Sequence, residues 1–212
     1  DLDGKVGDAL DRRVGLREEL AEALPTALVA DLDIPLVVFN AYLRAERLAL
    51  ITEPGCGIEW WALAGIGRTE SDHGRFKDSE PDAAGDVSPP ILGVPLDGKG
   101  VAKIGDSDGG GLDNDVVHDR AAGPMQVIPS TWMQWGRDGN GDDVDDPQNA
   151  YDAAYSAARY LCAVANGNLA DDAQLDRAFL GYNHSLSYVL TVRDRGEGYR
   201  DDADFLPALE IN

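Results

Sequence analysis

Ile58-Glu59-Trp60-Trp61-Ala62-Leu63-Ala64-Gly65-Ile66-Gly67-Arg68-Thr69-Glu70 is the stretch on which the fold reading turns. It follows a turn, Glu53-Pro54-Gly55-Cys56-Gly57, and is apolar over most of its length. It reads as a helix with Leu63, Gly67 and Glu70 on one face at i, i+4 and i+7. Gly74 supplies the expected stop. A carboxyl at the end of a buried helix is where a protein can hold a neutral acid near pH 7, because apolar walls penalise the charged form. Leu63 and Ile66 would desolvate Glu70, the helix C-terminus carries partial negative charge, and Asp72 adds a further negative group. Taken alone, Glu70 fits an ordinary surface glutamate ending a helix at least as well.

Outward from this stretch the chain is mostly helical. Leu16, Leu20, Ala23 and Leu24 set a helical pattern over 16–28, and Pro35 opens another through Leu36, Phe39, Leu43 and Leu48. Helical periodicity returns at Pro129 to Trp135. After Pro147, Ala150, Ala154, Ala157, Leu161 and Val164 form an alanine-rich stripe that must lie close to its neighbours. Asp171 to Tyr182 and Ser185 to Arg195 supply two more helical segments, and the acidic end from Glu197 reads ambiguously. Between Lys77 and Arg120, Pro89-Pro90, Pro95 and many glycines separate short apolar pieces such as Ile91-Leu92 and Val101 to Ile104. This part is expected to be an irregular lobe with at most one hairpin. The fold class is therefore mainly α, a helical domain with a small lobe inserted. Its expected parts are an N-terminal helical extension over 1–33, the main domain over 34–196 with its insertion at 77–120, and a C-terminal segment over 197–212.

Composition excludes several function classes. With 18 basic against 39 acidic residues the formal charge is -21, which argues against nucleic acid and anionic membrane surfaces as partners. No apolar run approaches the length of a membrane span, so no membrane insertion is expected, and the chain reads as a monomer. Solubility accounts for most of the acid, but its concentration at Asp138 to Asp146 and Asp201 to Asp204 suits a cation. Cys56 and Cys162 are the sole cysteines and lie far from any metal-ligand spacing. They are either two separate buried thiols or one disulfide, the disulfide being the expectation and requiring an oxidising compartment. The chain starts at Asp1 with no charged-then-apolar leader, so an export signal would lie outside it.

Two polar clusters downstream could meet Glu70. Gly123-Pro124-Met125-Gln126 permits tight backbone approach, and Gln126 offers donor and acceptor groups suited to sugar hydroxyl and acetamido groups. Tyr182-Asn183-His184 repeats that chemistry with an aromatic face. Trp60 and Trp61 are expected in the core, an exposed one being a sugar-stacking platform. Ser71 and His73 make no nucleophilic pair, and Gly109-Gly110-Gly111 lacks the lysine of a phosphate loop.

Together Thr69-Glu70-Ser71, Gly123-Pro124-Met125-Gln126 followed by Pro129-Ser130-Thr131-Trp132, and Tyr182-Asn183-His184-Ser185 resemble the successive motifs of lytic transglycosylases. The likeness is to the lytic murein transglycosylase B type in its actinobacterial form, over about Ile34 to Val192. Pro54-Gly55-Cys56-Gly57 and Pro89-Pro90-Ile91-Leu92-Gly93 resemble that subgroup too. The resemblance implies a lysozyme-like helical domain, exported to the cell envelope or beyond, acting on peptidoglycan glycan strands at the β-1,4 bond between N-acetylmuramic acid and N-acetylglucosamine. Glu70 would be its sole acid and base, giving a 1,6-anhydro product without added water. Gln126, Tyr182 and Asn183 would hold the saccharide and Met125 would line the cleft, with Asp119 a further candidate. His73 could reach a neighbouring subsite, although a solvated turn histidine is the plainer reading.

Asp138-Gly139-Asn140-Gly141-Asp142 opens like a calcium loop, with oxygen ligands at positions 1, 3 and 5 and a carbonyl from Val144 at position 7. Position 6 is Asp143 instead of glycine and position 12 is Asn149 instead of glutamate, which departs from the twelve-residue pattern. The resemblance implies a longer loop closed at position 15, so the implied ligands of a structural Ca2+ are Asp138, Asn140, Asp142, Val144 and Asp152. No His or Cys cluster suits zinc. Two other functions compete: a lysozyme-like hydrolase using the same Glu70 with water as acceptor, and a glycan-binding module without catalysis.

Overall fold

The computed structural model describes residues 31–165 and 167–203. The helical pattern expected over 16–28 and the end of the C-terminal segment lie outside them. Six helices are present among the described residues: α1 (Leu36–Thr52), α2 (Trp60–Ser71), α3 (Pro129–Trp135), α4 (Ala150–Val164), α5 (Asp172–Tyr182) and α6 (Leu186–Asp202). None is long and apolar enough to cross a membrane. The last runs through the stretch whose reading was ambiguous, with its C-cap at Ala203.

The central element is α2, buried at every position from Trp60 to Gly67, as expected for a helix enclosed on all sides. Its first amide, Trp60 N–H, has no intrahelical partner and donates to the buried Glu46 carboxylate of α1 at 2.9 Å. Helix α1 packs along α4, and α2 packs along α6. On α1 the buried face is Val38, Phe39, Tyr42, Ala45 and Ala49, while Leu36, at the first helical position, is exposed. On α4 the alanine stripe works as expected, with Ala150, Ala154, Ala157 and Leu161 buried against the core.

Small residues decide how closely α2 and α6 approach. A Cβ on Gly65 would lie 2.5 Å from the Val192 carbonyl oxygen, and one on Gly196 would lie 2.8 Å from that of Trp61. The two backbones are therefore in direct contact at their crossing, and alanine at either position would push them apart.

The inserted lobe holds one minimal hairpin, β1 (Glu80–Pro81) and β2 (Val87–Ser88), antiparallel with Glu80 opposite Ser88. The rest is irregular, held by isolated bridges such as Asp97 to Lys103 and Gly105 to His118. Aspartates shape it: the Asp82, Asp106, Asp108 and Asp115 side chains accept backbone N–H groups two to four residues onward. Much of the negative charge thus serves turn geometry as well as solubility.

Cys56, in the turn between α1 and α2, is bonded to Cys162 on α4. The bond closes a loop of sequence separation 106, worth about 4 to 5 kcal/mol in the chain-entropy model. Reduction, or the Cys56→Ser/Cys162→Ser double substitution, is expected to lower the free energy of unfolding by about 2 to 5 kcal/mol. Urea denaturation with and without reductant measures this, and coincident midpoints would count against it.

Candidate active site

Helix α2 ends immediately after Glu70, and the way it ends places the side chain. Asp72 and His73 both take left-handed backbone conformations, with φ of 54° and 60°. The turn therefore closes two residues before Gly74, the expected stop. Each such residue costs about 1 to 2 kcal/mol relative to ordinary backbone, and the surroundings compensate. Asp72 is paired with both Arg68 and Arg75, and the His73 amide donates to the Gly67 carbonyl at 3.0 Å. Ion-paired in this way, Asp72 is no cause of the altered acidity of Glu70, contrary to the expectation from sequence.

Glu70 lines a cleft of about 620 Å³ whose walls include Gln126 and Ile128, Trp132 and Trp135 of α3, Tyr160 of α4, Tyr182 to His184, and Leu96 and Val101 of the lobe. Burial pushes the Glu70 carboxyl up to about 7, and the hydrogen bond from Tyr188 partly opposes this. The Tyr188 hydroxyl donates to Glu70 Oε1 at 2.6 Å. Burial, with the Glu70 charge nearby, holds both Tyr188 and Tyr182 well above the usual tyrosine range, so both stay protonated. Among the described residues lining the cleft, Glu70 is the sole carboxylate.

The 123–126 turn forms the facing wall. Ser71 Oγ donates to the Pro124 carbonyl at 2.6 Å and accepts the Gly74 amide at 2.8 Å. Tyr182 donates to the Met125 carbonyl at 2.7 Å. Gly123 has a φ of 77°, and a Cβ there would collide with the Pro147 carbonyl. Gln126 is itself left-handed, with φ 48°, and its Nε2 donates to the Gly123 carbonyl at 2.9 Å. The turn thus presents Gln126 to the cleft in a constrained conformation.

Of the residues named from sequence, Glu70, Gln126, Tyr182 and Asn183 line one cavity. Two others do not. Met125 is 1% exposed and belongs to the core; it offers its carbonyl to Tyr182 while its thioether side chain packs inward. Asp119 is 0% exposed and lies outside the cleft lining. Both its oxygens are used inside the lobe, by Ser107 N–H and Ser107 Oγ, each at 2.8 Å. Trp60 and Trp61 are buried. His73 is neither solvated nor in the cleft but wholly buried between two tyrosines.

Sequence reasoning missed Tyr188, Tyr160 and Trp135. Trp135, Tyr160, Tyr182 and Tyr188 form a chain of ring contacts, with Tyr182 and Tyr188 nearly parallel at 6.5 Å. The spacing of Tyr188 from Tyr182 carries no local signal, because the chain breaks at Asn183 before α6 begins.

In the acidic loop, Asp138 accepts the amides of Gly141 and Asp143, Asn140 Oδ1 accepts that of Asp142, and Asp142 Oδ1 accepts that of Val144. These candidates are all oxygen donors, a set that fits a hard cation. Asp152 behaves differently. It is buried, which pushes its carboxyl up to about 6, and its oxygens accept the amides of Gly139, Asn140 and Asp146. It closes the loop through backbone hydrogen bonds. Asn149 accepts the Tyr151 amide at 2.9 Å and so caps α4. Among the described residues, the three acids whose oxygens gather within 4.8 Å of one another are Asp106, Asp108 and Asp119 of the lobe.

Two solved structures of the Escherichia coli lytic transglycosylase Slt35 are similar to this chain. The complex with calcium superposes with a TM-score of 0.50 and the complex with bulgecin A with 0.47, each at 15% identity over 91% of this chain and 83% of the other. At that identity the likeness is one of fold: mainly α and lysozyme-like. No protein-family model and no curated protein sequence matches the chain.

The raised pKa of Glu70 has a thermodynamic sign. The folded protein binds this proton more tightly than the unfolded chain, so stability contributed by the neutral form is lost as pH rises from about 4.5 to about 7. Between pH 4 and pH 8, wild type should lose on the order of 1 to 3 kcal/mol more stability than Glu70→Gln. Chemical denaturation of both proteins across that range measures the difference, and parallel profiles would mean that Glu70 titrates as an exposed carboxyl.

Proposed function

We propose that this chain is a peptidoglycan lytic transglycosylase, cleaving the β-1,4 bond between N-acetylmuramic acid and N-acetylglucosamine with formation of 1,6-anhydromuramyl ends. The observation that carries this reading is a single sheltered carboxyl, protonated up to about pH 7, as the sole carboxylate among the described residues that line the cleft. Glycosidases of the common two-carboxylate kind place a second Asp or Glu across the bond as nucleophile or base. A reaction whose nucleophile comes from the substrate needs none.

Glu70 in its neutral form donates its proton to the glycosidic oxygen as the bond from that oxygen to the muramyl C1 breaks. The C6 hydroxyl oxygen of the same sugar then forms the new bond to C1, and its proton passes to the Glu70 carboxylate. The acid is thereby regenerated, and no water is consumed. Tyr188 holds the carboxyl in place and tempers the effect of burial. Gln126, Tyr182 and Asn183 are assigned to the saccharide: two side-chain amides and an aromatic ring suit hydroxyl, acetamido and pyranose surfaces. The acetamido group of the substrate would stabilise the cationic centre. The protein would act as a monomer in the cell envelope or outside the cell, to which the disulfide is suited.

The 138–152 loop is assigned to a structural calcium ion held by Asp138, Asn140, Asp142 and the Val144 carbonyl, with Asp152 as the closing residue. Its all-oxygen donors support this, as does the fold neighbour Slt35, solved in complex with calcium. The ion would supply charge neutralisation to an acidic loop that leads into α4.

Mass spectrometry of muropeptides released from purified cell wall should show products one water lighter than reducing-end fragments; reducing ends alone would mean hydrolysis. Glu70→Gln should keep the fold and glycan binding while cell-wall clearing falls by about 10² to 10⁴-fold. Wild type that binds glycan but never clears the suspension would be a binding module. Calcium in about hundredfold excess over its dissociation constant should stabilise the protein by about 2 to 3 kcal/mol, read as a higher melting temperature that a chelator reverses. An unchanged melt under both conditions would remove the calcium assignment.

A further inference from the structure

His73 is an enclosed titratable group near the candidate site, and the reaction proposed above leaves it without a role. It is fully buried. Its Nδ1 is 3.0 Å from the Tyr42 hydroxyl of α1, and its Nε2 is 2.8 Å from the Tyr199 hydroxyl of α6. Both ring nitrogens are thus used, and both bonds reach across to other helices. Burial and the cations of Arg68 and Arg75 hold its pKa down at about 3, with Arg195 adding to them and Asp33 opposing. The ring is neutral at any working pH, one nitrogen donating and the other accepting.

The left-handed pair Asp72 and His73 folds the chain back, so that the imidazole lies beside α2 near the Gly67 carbonyl that its own amide binds. Helix α6 is consequently tied to the end of α2 on both sides of their crossing, and Arg195 adds an exposed tie by donating to the Arg68 carbonyl at 3.1 Å and to Thr69 Oγ1 at 3.2 Å. Glu70 takes the hydroxyl of Tyr188, and His73 takes that of Tyr199. These tyrosines are about three turns apart on one face of α6. Between them lies the crossing at Gly65 and Gly196, where backbone meets backbone and the Trp61 ring packs on Gly196. That apolar contact chiefly fixes separation, and the directional polar ties on either side of it bear on register.

We infer that His73 is a positioning residue for Glu70: by bridging Tyr42 and Tyr199 it sets the register of α6 against α2, and through that register the hydrogen bond from Tyr188 to Glu70. The inference rests on the reading of Glu70 as the acid only for its consequence in catalysis. The structural coupling stands or falls separately.

The test compares wild type, Tyr199→Phe and His73→Phe, with glutamate labelled at the carboxyl carbon and Glu70 assigned by its loss in Glu70→Gln. Tyr199→Phe deletes one oxygen and is the primary arm, because His73→Phe carries the greater risk of misfolding. Other groups facing Glu70, namely Tyr182, Gln126, Asn183 and His184, are unchanged in both. The expected result is that the Glu70 titration midpoint in Tyr199→Phe moves to higher pH by about half a unit or more, as the bond favouring the charged form is lost. On peptidoglycan, kcat should fall by about tenfold while KM changes little, and the upper limb of the pH profile should follow the midpoint. A Glu70 midpoint equal to that of wild type in the folded Tyr199→Phe protein, with only its melting temperature lowered, would overturn the inference and leave His73 a packing residue. If wild type yields no anhydromuramyl product, the proposed function fails, and the midpoint comparison still decides this coupling.

Discussion

The approach of α6 to α2, close enough for backbone to touch backbone at Gly65 and Gly196, is the constraint from which the rest of the site follows. It places the Tyr188 hydroxyl within 2.6 Å of the Glu70 carboxylate. Two opposed effects then meet on one group. Burial disfavours the charged form and the tyrosine favours it, with burial the larger. A carboxyl left to burial alone would hold its proton too firmly to donate it readily, and an open one would be ionised before it could donate.

The same economy of charge appears across the molecule. The chain carries a formal charge of -21, yet the cleft presents one carboxylate among its described lining residues. Many of the described acids have work elsewhere. Aspartates in the lobe and in the 138–152 loop fold their own backbones through side-chain to amide bonds. Asp171 caps α5, and Asp72 is neutralised by two arginines beside the strained turn that follows Glu70. Left-handed backbone at Asp72 and His73, just after Glu70, and at Gln126 on the cleft wall persists because surrounding bonds over-determine the conformation. Ser71 and Tyr182 supply such bonds to the turn bearing Gln126.

Local pattern was enough to read the helices from Leu36 onward, the irregular lobe with its one hairpin, and Glu70 at the end of an enclosed helix, because helical period, glycine and proline act over a few residues. Two cysteines allow a single intrachain pairing, so the disulfide was also within reach of sequence. Met125 and Gln126 could not be told apart in this way: adjacent residues share every local signal, and only the left-handed turn at Gln126 sends one side chain to the core and the other to the cleft. Asp119 had the composition of a site residue and proved to be an internal tie of the lobe.

Residue types and their spacing therefore determined which elements form and which carboxyl ends the central helix. Tertiary structure alone decided that Tyr188 should meet that carboxyl and that His73 should be buried between Tyr42 and Tyr199. The physical reason is range. Helix formation and turns depend on neighbours in the chain, whereas desolvation and hydrogen bonding at Glu70 depend on a helix more than a hundred residues away, whose register is fixed only when the core has packed.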